Sequence, residues 1–322
     1  MNVPESLSAW EAQRPAIRAT LWRLLGDLPP LFTPDVQIVT TLEREHFTIE
    51  KIAFENGAGA TVFGYVLVPR QGQRPAPAVL YSHFHGGHYH VGKDEVFLDR
   101  VSVPPLGPAL AEAGFIVLAI DAYSFGERQM QGPAGSREMG ADTEMALYKK
   151  LLWEGSTLWG MIVRDDLLAL NYLCARPDVD PARLVATGIS LGGSRTTWVS
   201  ALDDRIALTV PVAQMTRYRD FVEAGSLNGH RIYFYVPGVL TTGIDMEHLV
   251  SLVAPRAQII LIGDSDPLSP VGGVRKVEAF ARQVYTLYGA ADRFQAAIYE
   301  GVGHTYTPAM FAALMDGLRR YV

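Results

Sequence analysis

Five residues, Gly188-Ile189-Ser190-Leu191-Gly192, constrain this chain more than any other stretch. They lie between a strand-like run, Arg183 to Thr187, and a helix-like run from Leu191 to about Leu202. A serine set between glycines on a strand-to-helix turn is pushed outward into a strained, exposed position. Glycine is needed on either side because a Cβ there would collide with the neighbouring strand or helix. The turn therefore bears on fold and chemistry together. The rest of the chain must supply a sheet and, for catalysis, a base, an acid and an oxyanion site in the right order.

The sheet is legible as short apolar runs bounded by turn residues. Glu45 to Glu55 alternates, Asn56 to Gly59 is a turn, and Thr61 to Pro69 is a second strand, so the pair forms a hairpin. Ala78 to Tyr81, Phe115 to Ile120, Leu184 to Ala186, Ala207 to Val212, Gln258 to Ile262 and Gln295 to Tyr299 have the character of buried strands. Helical patterns fall between them: Leu106 to Ala113, Leu158 to Cys174, about Val274 to Tyr288, and about Pro308 to Tyr321. This alternation predicts an α/β fold with a mostly parallel central sheet, helices on both faces and an antiparallel N-terminal hairpin.

Residues 1–34 are expected to be a helical extension, with Trp10, Ile17, Leu21, Leu24, Leu25 and Leu28 at near-helical spacing and Asp27 with Pro29-Pro30 ending it. That helix either packs back on the body or makes a homo-oligomer contact. Residues 35–322 form one domain. Two segments, about 123–157 and 215–255, break the alternation without clear periodicity and are expected to be lid-like insertions. The second is aromatic, with Tyr218, Phe221, Tyr233, Phe234 and Tyr235, as a pocket wall would be.

Composition removes several function classes. A net charge of −6 and the lack of any lysine- or arginine-rich block argue against nucleic acid or an anionic membrane as partner. The single cysteine, Cys174, excludes an intrachain disulfide and is expected to be a packing residue. No basic start followed by an apolar run opens the chain, and no segment approaches the roughly 18 apolar residues that a membrane helix needs. A cytoplasmic enzyme acting on a small molecule is the expectation.

Reactive groups of an open parallel sheet sit at the carboxyl ends of its strands. After Ile262 comes Gly263-Asp264-Ser265-Asp266-Pro267, and after Tyr299 comes Glu300-Gly301-Val302-Gly303-His304. Ser190, an acid and His304 thus follow in the order Ser, Asp, His. A serine hydroxyl is a weak nucleophile, so His304 is expected to take its proton and return it to the leaving group. The carboxylate holds the imidazole tautomer, with Asp266 preferred and Asp264 its rival. An oxyanion needs two donors. The Leu191 N–H at the helix start supplies one, and the loop Ser82-His83-Phe84-His85-Gly86-Gly87-His88 is expected to supply the other through Gly87, with Gly86 next. His85, Gly86, His88, Tyr123 and Tyr218 are expected to contact substrate. The remaining polar positions have plainer readings: Glu127 and Arg128 as a structural ion pair, Asp245 and Glu247 as solvated or capping residues. No metal or organic cofactor is required.

His85-Gly86-Gly87, Gly188 to Gly193, Gly263 to Pro270 and Gly303-His304 together resemble the α/β-hydrolase superfamily. The run Arg176 to Arg183, and Asp121 followed by Phe125-Gly126-Glu127-Arg128, resemble its dienelactone hydrolase and acetyl xylan esterase/cephalosporin deacetylase side. That resemblance implies hydrolysis of small carboxylic esters, acetyl esters and lactones among them, through an acyl-serine. The chain departs from dienelactone hydrolase, whose nucleophile is cysteine. Two rival readings remain. His83, His85 and His88 have the spacing of a zinc run in metallo-β-lactamase-like hydrolases, although Gly87 stands where that family carries aspartate. The other rival is a hydrolase fold used only for binding, and the presence of serine, acid and histidine together argues against it. The same triad also serves cyanohydrin lysis and acyl transfer.

Overall fold

The computed structural model describes residues 3–99, 103–225 and 227–322. Residues 1 and 2 of the extension and Ser226 of the second insertion lie outside the described residues. Among the described residues nine strands form one sheet: β1 (Gln37–Glu43), β2 (Phe47–Glu55), β3 (Thr61–Pro69), β4 (Ala76–Ser82), β5 (Ile116–Ile120), β6 (Val179–Ile189), β7 (Ile206–Val212), β8 (Ala257–Gly263) and β9 (Phe294–Tyr299). Their order is β1-β2-β3-β5-β4-β6-β7-β8-β9. β1 to β3 run antiparallel to one another and β3 is antiparallel to β5. β5, β4 and β6 to β9 are parallel. The alternating strands and helices of the sequence thus give a mostly parallel sheet with an antiparallel edge.

Neighbouring residues of a strand face opposite ways, and the core divides accordingly. Leu80, Leu118, Ala186 and Ile260 face one layer, built from α1 (Leu7–Leu25), α4 (Leu158–Ala175), α5 (Leu191–Leu202), α7 (Met246–Leu252) and α8 (Val271–Leu287). Val79, Val117, Val185 and Leu261 face the other, built from α2 (Leu106–Glu112) and α9 (Pro308–Tyr321). Helix α9 shows why it stays put: Met310, Leu314, Gly317 and Leu318 recur at helical spacing and are buried, while Arg319 and Arg320 stay outside.

The extension packs on the body. Trp10 is buried edge-on against Phe280 of α8, and Arg18 forks onto Asp204 at 2.7 and 2.9 Å. The helix stops at Leu25, short of the Leu28 expected from spacing. Gly26 turns there with φ +94° against the backbone of Ser156, where no Cβ fits.

Four elements were not anticipated by apolar periodicity. Strand β1 exposes all seven residues, so no alternation marks it. In the first insertion α3 (Ala141–Trp153) buries Thr143, Glu144, Leu147 and Leu151, a helical stripe of which half is polar, and exposes Trp153 almost wholly. In the second, α6 (Tyr218–Glu223) and α7 lie among short helical turns. Both insertions, expected to be lid-like and without clear period, thus carry helices. Asp245, expected to be solvated or capping, is buried and caps α7, accepting from the N–H groups of Met246 (2.8 Å) and Tyr218 (2.6 Å). Glu247 is also buried, 3.2 Å from the Arg217 guanidinium.

Candidate active site

Ser190 sits between β6 and α5 with φ +59° and ψ −117°, a backbone conformation that L-residues rarely adopt. Two hydrogen bonds hold it there: its N–H donates to the Val212 carbonyl (2.9 Å) and its carbonyl accepts from the Ser194 N–H (3.0 Å). A Cβ on Gly188 or Gly192 would run into the Ser82 carbonyl of β4. The flanking glycines are thus dictated by how closely β6 and the first turn of α5 approach β4.

The turn carries the hydroxyl to the end of the sheet, where two further strand ends meet it. The Ser190 Oγ lies 2.8 Å from His304 Nε2, and His304 Nδ1 lies 2.8 Å from Asp266 Oδ2. Asp266 is buried and its other oxygen accepts the Leu268 N–H at 2.8 Å. A buried carboxylate so placed fixes the proton on Nδ1 and leaves the Nε2 lone pair facing the serine. The rival acid, Asp264, is turned away. Its carboxylate accepts from the Gly301 N–H (2.8 Å) and the Ser265 hydroxyl (2.9 Å), tying the loop after β9.

The glycine loop after β4 differs from the expectation. The Gly87 N–H donates to His85 Nδ1 at 3.0 Å, so in this structure it is occupied within its own loop and does not serve as an oxyanion donor. Positive φ at Gly86 (+53°) and Gly87 (+77°) produces that inward turn. The Leu191 N–H begins α5, and the first N–H groups of a helix have no acceptor within it.

Three of the expected substrate contacts are engaged elsewhere. His85 is buried; its Nδ1 accepts from Gly87, so its Nε2 carries the proton and donates to Glu144 of α3 at 2.9 Å. Tyr123 is buried, its hydroxyl accepting from Asn56 Nδ2 (2.7 Å) and its ring lying 3.8 Å from the Arg128 guanidinium. Tyr218 turns its hydroxyl inward to the Trp198 indole N–H at 3.2 Å. Its ring lines an apolar cavity of ≈ 280 Å³ with Phe221, His230 and Phe234. Gly86 and His88 remain exposed at the loop surface.

The histidine run does not converge as metal ligands would. His83 is fully buried, donates Nδ1–H to the Phe84 carbonyl (2.7 Å) and accepts the Ala122 N–H at Nε2 (3.0 Å). Burial, reinforced by the positive charge of Arg195, drives its pKa well below the usual histidine range. Both nitrogens of His83 and both of His85 are thus spent on hydrogen bonds, and His88 faces outward. Among the described residues no group of three or more histidine, cysteine, aspartate or glutamate side chains is placed to hold a metal ion.

Glu127 and Arg128 are ion-paired, but not to each other. Glu127 bridges Lys51 (2.9 Å) and Lys93 (2.7 Å), while Arg128 meets Asp165 (2.9 Å). Lys93 also holds buried Asp121 at 2.8 Å. This network fixes the loop after β5, which in turn ties to His83.

Sequence periodicity missed the segment 227–235. His230 Nε2 lies 3.1 Å from the Leu268 carbonyl, beside the acid. Burial lowers the His230 pKa, and neighbouring His304 lowers it further. Tyr233 stacks on His85 at 5.2 Å. The segment therefore crosses from the acid loop to the glycine loop, and its aromatic content was the one signal of it.

With this geometry in view, comparisons place the chain. A family model described as acetyl xylan esterase (AXE1) matches residues 35–228. "Putative hydrolase YtaP" of Bacillus subtilis is 34% identical over 292 residues, covering 90% of this chain and 93% of its own. A 4-O-methyl-glucuronoyl methylesterase of Neurospora crassa is 28% identical over 173 residues, 47% of this chain and 43% of its own. A solved glucuronoyl esterase from Solibacter usitatus superposes with a TM-score of 0.72 at 16% identity, over 98% of this chain and 93% of its own. The last likeness concerns fold alone, and that fold is the α/β-hydrolase one.

Proposed function

The chain belongs to the acetyl xylan esterase family, and from that premise we propose that it hydrolyses small carboxylic esters, acetyl esters of sugars foremost, through an acyl-Ser190 intermediate. The observation that carries this reading is the continuous relay from Ser190 Oγ to His304 to Asp266, with both hydrogen bonds at 2.8 Å. The family resemblance supports ester hydrolysis; the relay supports the serine route to it.

In the proposed reaction the Ser190 oxygen attacks the ester carbonyl as its proton passes to His304 Nε2. The tetrahedral oxyanion is met by the Leu191 N–H. Collapse breaks the carbonyl–alkoxy bond, and the Nε2 proton goes to the departing alkoxide. Water then attacks the acyl carbonyl as its proton passes to Nε2; collapse breaks the acyl–Oγ bond, and Nε2 returns that proton to Ser190 as the acid leaves. Asp266 stays ionised and stabilises the transient imidazolium. A second oxyanion donor from the glycine loop requires the Gly87 N–H to leave His85 Nδ1. No step needs a metal or organic cofactor.

The test is a panel of esters varying acyl length, sugar acetates and lactones, run on the native protein and on Ser190→Ala. The reading requires acetyl esters among the substrates and loss of turnover by several orders of magnitude in the variant. Undiminished hydrolysis by Ser190→Ala would sink it.

A further inference from the structure

We infer that Arg231 is a specificity residue that binds a carboxylate carried by the substrate beside the scissile ester, so that acidic sugar esters are preferred. This rests on the ester-hydrolase reading above and narrows its substrate class. The segment 227–235 spans the site. At one end His230 bonds the Leu268 carbonyl, and a methyl built on Gly229 would lie 2.9 Å from the Leu268 side chain. At the other, a methyl built on Gly87 would lie 3.6 Å from the Arg231 guanidinium. Arg231 thus stands directly over the glycine loop.

Its charge is uncommitted. Arg231 is exposed, and among the described residues its guanidinium makes no hydrogen bond or ion pair, only its backbone carbonyl accepting the Phe234 N–H. It lines an open cleft of ≈ 800 Å³ with Tyr89, Glu144, Asn228, His230 and Tyr235. The one carboxylate in that lining, Glu144, is buried and bonded to His85 at 2.9 Å, so its charge is already engaged. A guanidinium presents a planar fork that matches a carboxylate with two parallel hydrogen bonds. The phenols and amide around it offer neutral donors and acceptors suited to sugar hydroxyls. The chemistry that completes the cleft is a carboxylate on a polyhydroxylated unit.

The experiment compares acetate release from O-acetylated methyl glucuronoside, which carries a free carboxylate, with release from O-acetylated methyl glucoside, which does not. The native protein is expected to favour the acid by about tenfold or more in kcat/KM, expressed in KM. Arg231→Gln should bring the ratio to near one, Arg231→Lys should keep part of it, and high salt should compress it in the native protein. A native ratio near one, or a ratio unaltered in Arg231→Gln, overturns the inference. Should neither acetate be cleaved, the ester reading is decided separately by the panel and its Ser190→Ala control. Calorimetric titration with unacetylated methyl glucuronoside and methyl glucoside then decides the arginine. Binding of the acid alone, lost in Arg231→Gln, supports it, and equal or absent binding of both overturns it.

Discussion

At the residue scale, the proposed nucleophile is set by what surrounds it rather than by any property of serine. Ser190 is held at positive φ by hydrogen bonds to β7 and to its own helix. It can be so held because residues 188 and 192 carry no side chain. Gly192→Ala would press a methyl into the Ser82 carbonyl. The expected result is a stability loss of about 1–3 kcal/mol by urea denaturation, with turnover falling at least about tenfold as Ser190 leaves its angle to His304. An alanine variant with native turnover would show that the elbow tolerates rearrangement. The two aspartates after β8 give a sharper contrast. Asp266→Asn disturbs the tautomer of His304 and should lower kcat by on the order of 10³–10⁴. Asp264→Asn weakens a loop tie to Gly301 and should cost no more than about 1 kcal/mol of stability, with kcat nearly native. Reversal of those two effects would assign the acid to the wrong residue.

Single elements explain how much of the site could be read in the sequence. Ser190, Asp266 and His304 were legible because each follows a short apolar run whose end fixes its place in a parallel sheet. The glycine loop was legible as a loop but not in its hydrogen bonding. Whether the Gly87 N–H faces a substrate or His85 depends on two consecutive positive φ angles that no residue pattern encodes. Tyr123 and Tyr218 follow strand ends too, yet Asn56 and Trp198 draw their hydroxyls inward. Helix α3 hid because its buried face includes Thr143 and Glu144, and β1 hid because it has no buried face at all. Buried ion pairs were equally invisible. Arg195, on α5 one turn past the serine, forks onto Asp166 of α4 at 2.5 and 2.9 Å, and both side chains are buried. Asp166→Ala strands that guanidinium and should destabilise the protein by about 3–5 kcal/mol in denaturant titration. A loss below about 1 kcal/mol would mean that water reaches the pair.

Over the whole molecule, burial of neutral histidines ties stability to pH. Burial takes His83 well below the ordinary range and pushes His248 down to about 4. His248 lies in α7, where its Nδ1 accepts the Asp245 N–H (3.1 Å) and its ring meets Phe280. A histidine whose folded pKa is depressed takes up its proton more readily when unfolded. Its stabilisation is therefore complete above about pH 6.5 and drains away as pH falls toward the folded value, at up to about 1.4 kcal/mol per unit for each group. Urea midpoints should drop between pH 7.5 and 5.5, and drop less in His248→Gln; an equal drop in both would remove His248 from the account. The whole fold also serves one end, bringing three strand ends together at the serine. That convergence is tested most directly by intact-protein and peptide mass spectrometry after reaction with a fluorophosphonate. The account predicts one adduct per chain, located on Ser190, formed in parallel with loss of esterase activity and greatly slowed in His304→Ala. An adduct on another residue, or activity that survives full modification of Ser190, would contradict it.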